Sequence, residues 1–327
     1  MDTKKNNILL KIARMKKTWF LLLPFFFISC QQEKTTPATP EVHEQYITVL
    51  GTAQDAGYPQ INCNKSCCKP YHEGKVSKKL ISSLGLIDLE ANKKWLFDAT
   101  PDITQQIQNL SKQLETTNVI DGVFLTHAHI GHYTGLMYFG REAMGAKQIP
   151  VYVMPKMKNY LETNGPWSQL VTLRNITLKE LNHNTAVDLT SELQITPFLV
   201  PHRDEFSETV GYKIKGKKKS ALFIPDINKW QLWEKDIVEE VKKVDYAFLD
   251  ATFFKEGEIP RPMSEVPHPF IVETAKLFEN EDLQTKNKVI FIHFNHSNPA
   301  LQKSNSLKDS LKNKGFQFAE EGMRFGL

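Results

Sequence analysis

The stretch FLTHAHIGHYTGL, residues 124–136, sets His127, His129 and His132 within six positions at the end of an apolar run. Neutral imidazole is the commonest protein ligand for transition metals. Residues i and i+2 at the end of an extended strand can both turn toward one ion. His132, at the start of the element that follows, is offset enough to reach a neighbouring ion. A lone histidine on an apolar strand usually packs as a core residue. Three in six positions, with further metal-capable side chains downstream, point to a site instead.

The downstream residues have a common setting. Asp98 ends KKWLFDAT, His202 ends FLVPH, Asp226 ends ALFIPD and His293 ends VIFIHF, each after a short apolar run of strand type. Between these strands lie segments of helical spacing, including PDITQQIQNLSKQLE, HYTGLMYFGREAMGA, INKWQLWEKDIVEEVKK and PHPFIVETAKLFENE. Strands and helices in alternation imply an α/β layered domain. Open α/β architectures gather their ligands at such strand ends. From Tyr46 to the C-terminus no second linker and no internal repeat interrupts the pattern, so residues 46–327 read as one catalytic domain.

These motifs resemble the metallo-β-lactamase superfamily. THAHIGH is similar to its HxHxDH signature, WLFDATPD to its first acidic motif, FLVPH and ALFIPD to its third histidine and bridging aspartate, and VIFIHFN to its last histidine. Within it, LGTAQDAGYPQINCN, LTHAHIGHYTGLMYFGREAM, LDATFF and IHFNHSNP resemble the pyrroloquinoline-quinone biosynthesis protein B group and its phosphodiesterase relatives. The resemblance implies a four-layer αββα sandwich. It also implies one zinc held by His127, His129 and His202, a second ion at His132 and His293, and Asp226 bridging them. Asp98 is expected to orient ligands from behind. Asp250 in LDATFF would orient an imidazole or serve only as a turn residue. His268 in EVPHPF would act as acid toward a leaving group or as a polar helix cap.

The sequence departs from the signature at Gly131, where the family pattern has a metal-binding aspartate. The expectation is a second site that is weaker, differently filled or lost, shifted toward zinc or iron by the missing oxygen donor. His296 is the candidate replacement, with a solvated loop histidine as the alternative. The resemblance implies a metal-dependent hydrolase acting on an ester or phosphodiester-like substrate through an activated water. An iron-dependent oxygenase like the quinone-biosynthesis relatives, or a non-catalytic binding protein on a degenerate site, are the other readings. The surface loop LETNGPWSQL, 161–170, is a candidate for substrate selection, with Trp167 either walling a pocket or packing.

NCNKSCCKPYH places Cys63, Cys67, Cys68 and His72 in ten residues. The relatives carry a structural zinc here on a Cys-x-Cys-x-x-Cys pattern, but Lys65 stands at the middle position. A structural zinc, a disulfide from Cys63 to Cys67 or Cys68, and buried thiols all remain open.

The 327-residue chain is 41% apolar and 24% charged, the balance of a globular protein with a proper core. Its net charge of +4 belongs to the first 29 residues, which hold six basic side chains and one acid. No basic patch points to nucleic acid. MKKTWFLLLPFFFISC, from Met15 to Cys30, has the charged start and short apolar run of a secretory signal. Its terminal cysteine resembles a bacterial lipobox, which implies lipidation of Cys30, export and anchoring to a membrane, periplasmic or at the cell surface. Met15 reads as an alternative start. Residues 1–29 are then a signal segment and 30–45 a polar tether rich in Pro and Thr.

Overall fold

In β10 (Ser220–Ile224), Ala221 and Phe223 face one buried layer while Leu222 and Ile224 face another. The same alternation holds for Ile47 and Val49 against Tyr46 and Leu50, and for Trp95 and Phe97 against Leu96. Side chains on a strand point alternately to opposite faces, so strands apolar at every position must be covered on both. The computed structural model describes residues 44–260, 262–302 and 305–327. The signal segment 1–29, Cys30 and nearly all of the tether lie outside the described residues, which fall within the compact unit Val42–Leu327.

The first sheet contains β1 (Gln45–Gly51), β2 (Ser83–Asp88), β3 (Lys93–Phe97), β4 (Gly122–Phe124), β5 (Ile149–Val153) and β6 (Ile176–Glu180). The second contains β7 (Val187–Asp188), β8 (Gln194–Leu199), β9 (Val210–Lys215), β10, β11 (Tyr246–Asp250), β12 (Val289–Ile292) and β13 (Gln317–Phe318). The last strand, β14 (Arg324–Gly326), returns to the first sheet beside β1. The orders are β14-β1-β2-β3-β4-β5-β6 and β13-β12-β11-β10-β9-β8-β7. One apolar layer fills the space between the sheets, and helices cover each outer face, led by Ile103 and Leu110 on one side and Ile271 and Phe278 on the other. This is the four-layer αββα arrangement that the motifs imply.

Direction matters for function. β3, β4 and β5 run parallel, as do β10, β11 and β12. β1 is antiparallel to β2 and β2 to β3, so β1 runs the same way as β3. The C-terminal ends of β1, β3 and β4 therefore share one rim of their sheet. Beneath the rim, Phe97 stacks on Phe124 at 5.2 Å between ring centroids and meets Tyr212 and Phe223 edge-on at 5.4 and 5.8 Å. Each such ring contributes about 1.5–3 kcal/mol by burial. Their packing holds the strands just before Asp98 and His127.

Three local expectations change. HYTGLMYFGREAMGA is not one helix: a single turn, Ile130–Tyr133, passes into a 3-10 segment, Thr134–Phe139. Gly135 lies so close to the preceding loop that a Cβ there would meet the Thr100 carbonyl at 2.1 Å, so this backbone follows tertiary contact rather than helical propensity. Residues 161–170 are not a free loop but the join of the helices Pro155–Thr163 and Trp167–Thr172. Trp167 is buried against Tyr133, ring centroids 5.0 Å apart. His268 precedes its helix, Ile271–Leu277, whose cap is Phe270.

Candidate metal centre

The first set of converging donors comes from both sheets. His127 and His129 follow β4, His202 follows β8 and Asp226 follows β10. His127 Nε2 lies 2.8 Å from His129 Nδ1 and 3.3 Å from Asp226 Oδ2. Asp226 Oδ1 lies 3.2 Å from His202 Nε2. Asp226 Oδ2 is also 3.8 Å from His129 Nδ1 and 3.9 Å from His132 Nε2, so this carboxylate stands between two groups of imidazoles.

The second set is Asp55, His132, Asp226 and His293. Asp55 Oδ1 is 3.2 Å from His132 Nε2 and 3.9 Å from His293 Nε2. Sequence reading missed Asp55 altogether. The available signal was that GTAQDAG follows a strand, as Asp98, His127, His202, Asp226 and His293 do. His296, the expected replacement for the missing motif aspartate, belongs to neither set; the donor grouped with His132, Asp226 and His293 is Asp55.

The far nitrogens of the rings are held from behind. His132 Nδ1 is 2.7 Å from Asp98 Oδ2, and Asp98 Oδ1 accepts from the Thr126 amide and hydroxyl at 2.8 and 2.9 Å. His127 Nδ1 meets Thr126 Oγ1 at 2.9 Å, His202 Nδ1 meets Asn228 Oδ1 at 3.1 Å, and His293 Nδ1 meets Thr252 Oγ1 at 3.0 Å. Thr252 in turn donates to Asp250 Oδ1 at 2.7 Å. Such partners select the tautomer and aim the opposite nitrogen. Asp98 and His293 both have left-handed backbone, with φ of 65° and 68°. For residues with a Cβ that conformation costs about 1–3 kcal/mol and concentrates at functional sites.

His268 lies beside both sets. Its Nδ1 is 2.8 Å from Asp250 Oδ2 and 3.1 Å from Asp226 Oδ1. Burial opposes its charge, but Asp250 and Asp226 outweigh burial and raise it to about 10. Burial likewise opposes charge on Asp226, yet His202 and His268 hold its carboxyl well below the usual range. Burial, and then His132, keep His127 well below the ordinary imidazole value. At His132 burial is overcome by Asp98 and Asp55, which raise it well above that value.

The donor set fits metal ions. Asp55 Oδ1, His129 Nε2, His132 Nε2, His202 Nε2, Asp226 Oδ1 and His293 Nε2 are buried without a hydrogen-bond partner among the described residues. A buried polar atom left so costs about 1–3 kcal/mol. The donor separations suit ligands about 2 Å from a shared cation. The arrangement is that of a metal-dependent hydrolase-type centre.

The cysteine motif forms a separate group. Cys63, Cys67 and Cys68 are free thiols with their sulfur atoms mutually within 4.8 Å, and Cys63 and Cys67 lie 3.7 Å apart. His72 does not join them: its Nε2 is 3.0 Å from the Cys63 carbonyl oxygen.

The family model described as a beta-lactamase superfamily domain matches residues 93–294. Coenzyme PQQ synthesis protein B of Methylobacillus flagellatus is 25% identical over 308 residues, covering 85% of this chain and 98% of that protein. Its counterpart in Klebsiella pneumoniae is 27% identical over 324 residues, with 86% and 98% covered. Among solved structures, Zn(2+)-bound PqqB from Methylobacterium extorquens aligns with a TM-score of 0.72 at 20% identity, over 86% of this chain and all of that one. A diphosphatase from the PhnP family aligns with a TM-score of 0.57 at 22% identity, over 86% and 96%. At these identities the structural likeness speaks to fold alone.

Proposed function

This chain belongs to the beta-lactamase superfamily, and from that premise we propose that it is a metal-dependent hydrolase acting on an ester or phosphodiester-like substrate. The observation that supports this most is Asp226, whose carboxylate stands between two groups of imidazoles, with Nε2 of His202 on one side and of His132 on the other buried without a hydrogen-bond partner among the described residues. His127, His129 and His202 with Asp226 would hold one ion, and His132 and His293 with Asp226 a second. Bound there, such ions lower the pKa of water toward neutrality and polarise the electrophile. Zinc suits this nitrogen-rich donor set, with iron the alternative.

The chain's own groups divide the remaining work. Asp98 and Thr126 keep the rings of His132 and His127 turned inward, and Asp250 does so for His293 through Thr252. His268, fixed at Nδ1 by Asp250 and Asp226, whose carboxylates favour its charged form against burial, would offer a proton for a leaving oxygen from the other side of its ring. A cleft of about 600 Å³ opens beside His202 and Asn228 and is lined by Lys156, His183 and Trp233. That volume takes a small organic substrate. Its mixture of cationic and acidic side chains does not select one further.

The test is hydrolysis of bis(p-nitrophenyl) phosphate and p-nitrophenyl acetate by the purified chain. Turnover that chelation abolishes, that zinc restores and that His127→Ala loses supports the proposal. No turnover of either ester by zinc-loaded protein would argue against it. Conversion of a tyrosine-like compound by the iron-loaded form would favour the oxygenase.

We also propose, on the sequence Met15–Cys30, that the protein is exported and anchored to a membrane by lipid on Cys30. Among the described residues no helix is long and apolar enough to cross a membrane. Incorporation of labelled palmitate that Cys30→Ser removes is the expected result. The cysteine group is proposed as a structural zinc site of three thiolates.

A further inference from the structure

We infer that Asp55, on the loop after β1, supplies the carboxylate that the histidine motif lacks at Gly131, so that Asp55, His132, His293 and Asp226 form a complete second ion site. This rests on the reading of the centre as metal-holding.

Three observations carry it. The first is space. A Cβ built on Gly131 would lie 2.5 Å from Asp55 Cα and 2.5 Å from Asp55 Oδ1. The loop carboxylate therefore fills the volume in which a motif side chain at 131 would begin, and the two cannot coexist. The second is aim. Asp55 Oδ1 is buried without a hydrogen-bond partner among the described residues, and faces the inward nitrogens of His132 and His293. Burial works against its charge, yet those two histidines hold the carboxyl well below the usual range.

The third is anchoring. The Gln54 amide donates to the Phe294 carbonyl at 2.8 Å, the Phe294 amide to the Thr52 carbonyl at 2.8 Å, and the Asn295 side chain to Gln54 Oε1 at 2.5 Å. The Gly57 amide closes the turn onto the Gln54 carbonyl at 2.7 Å. Asp55 is thus fastened to the residues directly after His293, one of the ligands it would join. β1 runs with β3, so its loop emerges at the rim where the motif histidines stand.

A purely electrostatic role for Asp55, as counter-ion to a charged His132, is the competing account. Asp98 already takes Nδ1 of that ring, and Asp55 faces the other nitrogen. A carboxylate on each side suits an imidazolium, or a ring bound to a cation through Nε2. If Asp55 is a ligand, the oxygen donor that the motif lost is restored, and the second site is neither weakened nor biased away from harder metals.

The experiment is zinc content by elemental analysis at fixed free zinc, with stepwise Kd by calorimetry, on the full chain. It compares the wild type with Asp55→Ala, Asp55→Asn, His132→Ala and His127→Ala. The cysteines are untouched, so any zinc they hold is common to all. We expect both Asp55 variants to lose about one equivalent relative to wild type, as His132→Ala does, or to weaken the second step at least about tenfold. Far-UV circular dichroism checks folding, and Asp55→Asn, nearly isosteric, covers the case in which Asp55→Ala unfolds. Wild-type zinc content and Kd in both Asp55 variants, with one equivalent lost in His132→Ala, would overturn the inference while leaving the metal centre standing. Unchanged zinc in His127→Ala and His132→Ala would overturn the centre and this inference with it.

Discussion

A Cβ placed on Gly131 would stand 2.5 Å from the Cα of Asp55, closer than any real pair of such atoms. The obstacle is backbone, which cannot swing aside as a long side chain can. Gly131→Ala therefore alters no candidate ligand, yet should push the Asp55 loop away from His132. Overpacking of this kind costs about 1–3 kcal/mol. The expected result is a lower melting temperature and a weaker second zinc step in the same variant. Wild-type values for both would show that the loop yields without cost.

Asp98 is fully buried and reaches His132 from behind at 2.7 Å. In Asp98→Asn the amide oxygen still accepts from Thr126, so the strand end keeps its hydrogen bonds. What is lost is the charge that holds a proton on His132 Nδ1 and makes Nε2 a good donor to metal. Zinc affinity at the second step should fall about 10–100-fold, with the first step little changed. Calorimetric titration separates the two. Equal losses at both steps would mean that Asp98 acts on the whole rim.

At His132 the carboxylates of Asp98 and Asp55 outweigh burial and raise the ring well above the ordinary histidine value, which favours its doubly protonated form in the metal-free protein. A ligand must shed the extra proton before it binds metal. Zinc uptake should release protons at pH 7, and affinity should fall further as pH is lowered. Calorimetry in buffers of different ionisation enthalpy counts them. Proton release that does not drop in His132→Ala would place the source elsewhere.

Glu258 belongs to none of the ligand sets. Burial raises its carboxyl from 4.5 to about 7, with the Lys255 and Phe254 amides compensating only in part. Its folded pKa lies above the unfolded one, so the folded state binds more protons between pH 4.5 and 7, and stability falls as pH rises through that window. The side chain is partly exposed, so solvent screening reduces the effect to about 1 kcal/mol. Glu258→Gln should melt about 2 °C higher than wild type at pH 8 and equal to it at pH 4. A difference of the same size at both pH values would point to packing rather than charge.

The three thiols differ in acidity. Burial pushes Cys68 up to about 12, whereas Cys63, despite its own burial, is lowered by hydrogen bonds from Lys65 and its neighbouring cysteines. In chelated protein, iodoacetamide should modify Cys63 first and Cys68 last, read by peptide mass. If zinc binds here, added zinc should protect all three. Labelling unaffected by zinc would leave the group as buried thiols.

The αββα layering and the metal-capable strand ends were legible in the chain because they are local properties. A run such as VIFIHF states both its burial on two faces and the polar residue that ends it. Strands that run parallel bring such ends together, which is why His127, His202, Asp226 and His293, up to 166 positions apart, converge at one place. Asp55 was not legible in this way. GTAQDAG is a polar turn with no periodicity, and nothing local sets it beside a glycine 76 positions later. The break of the post-motif segment into short turns, the burial of Trp167 and the turning of His72 toward a backbone carbonyl were decided the same way. Each depends on which backbones come close across the sheets, and close approach is a property of the packed molecule rather than of any segment in it. The chain by itself determined which side chains stand at strand ends; only the tertiary structure decided that a carboxylate from another loop fills the space Gly131 leaves open.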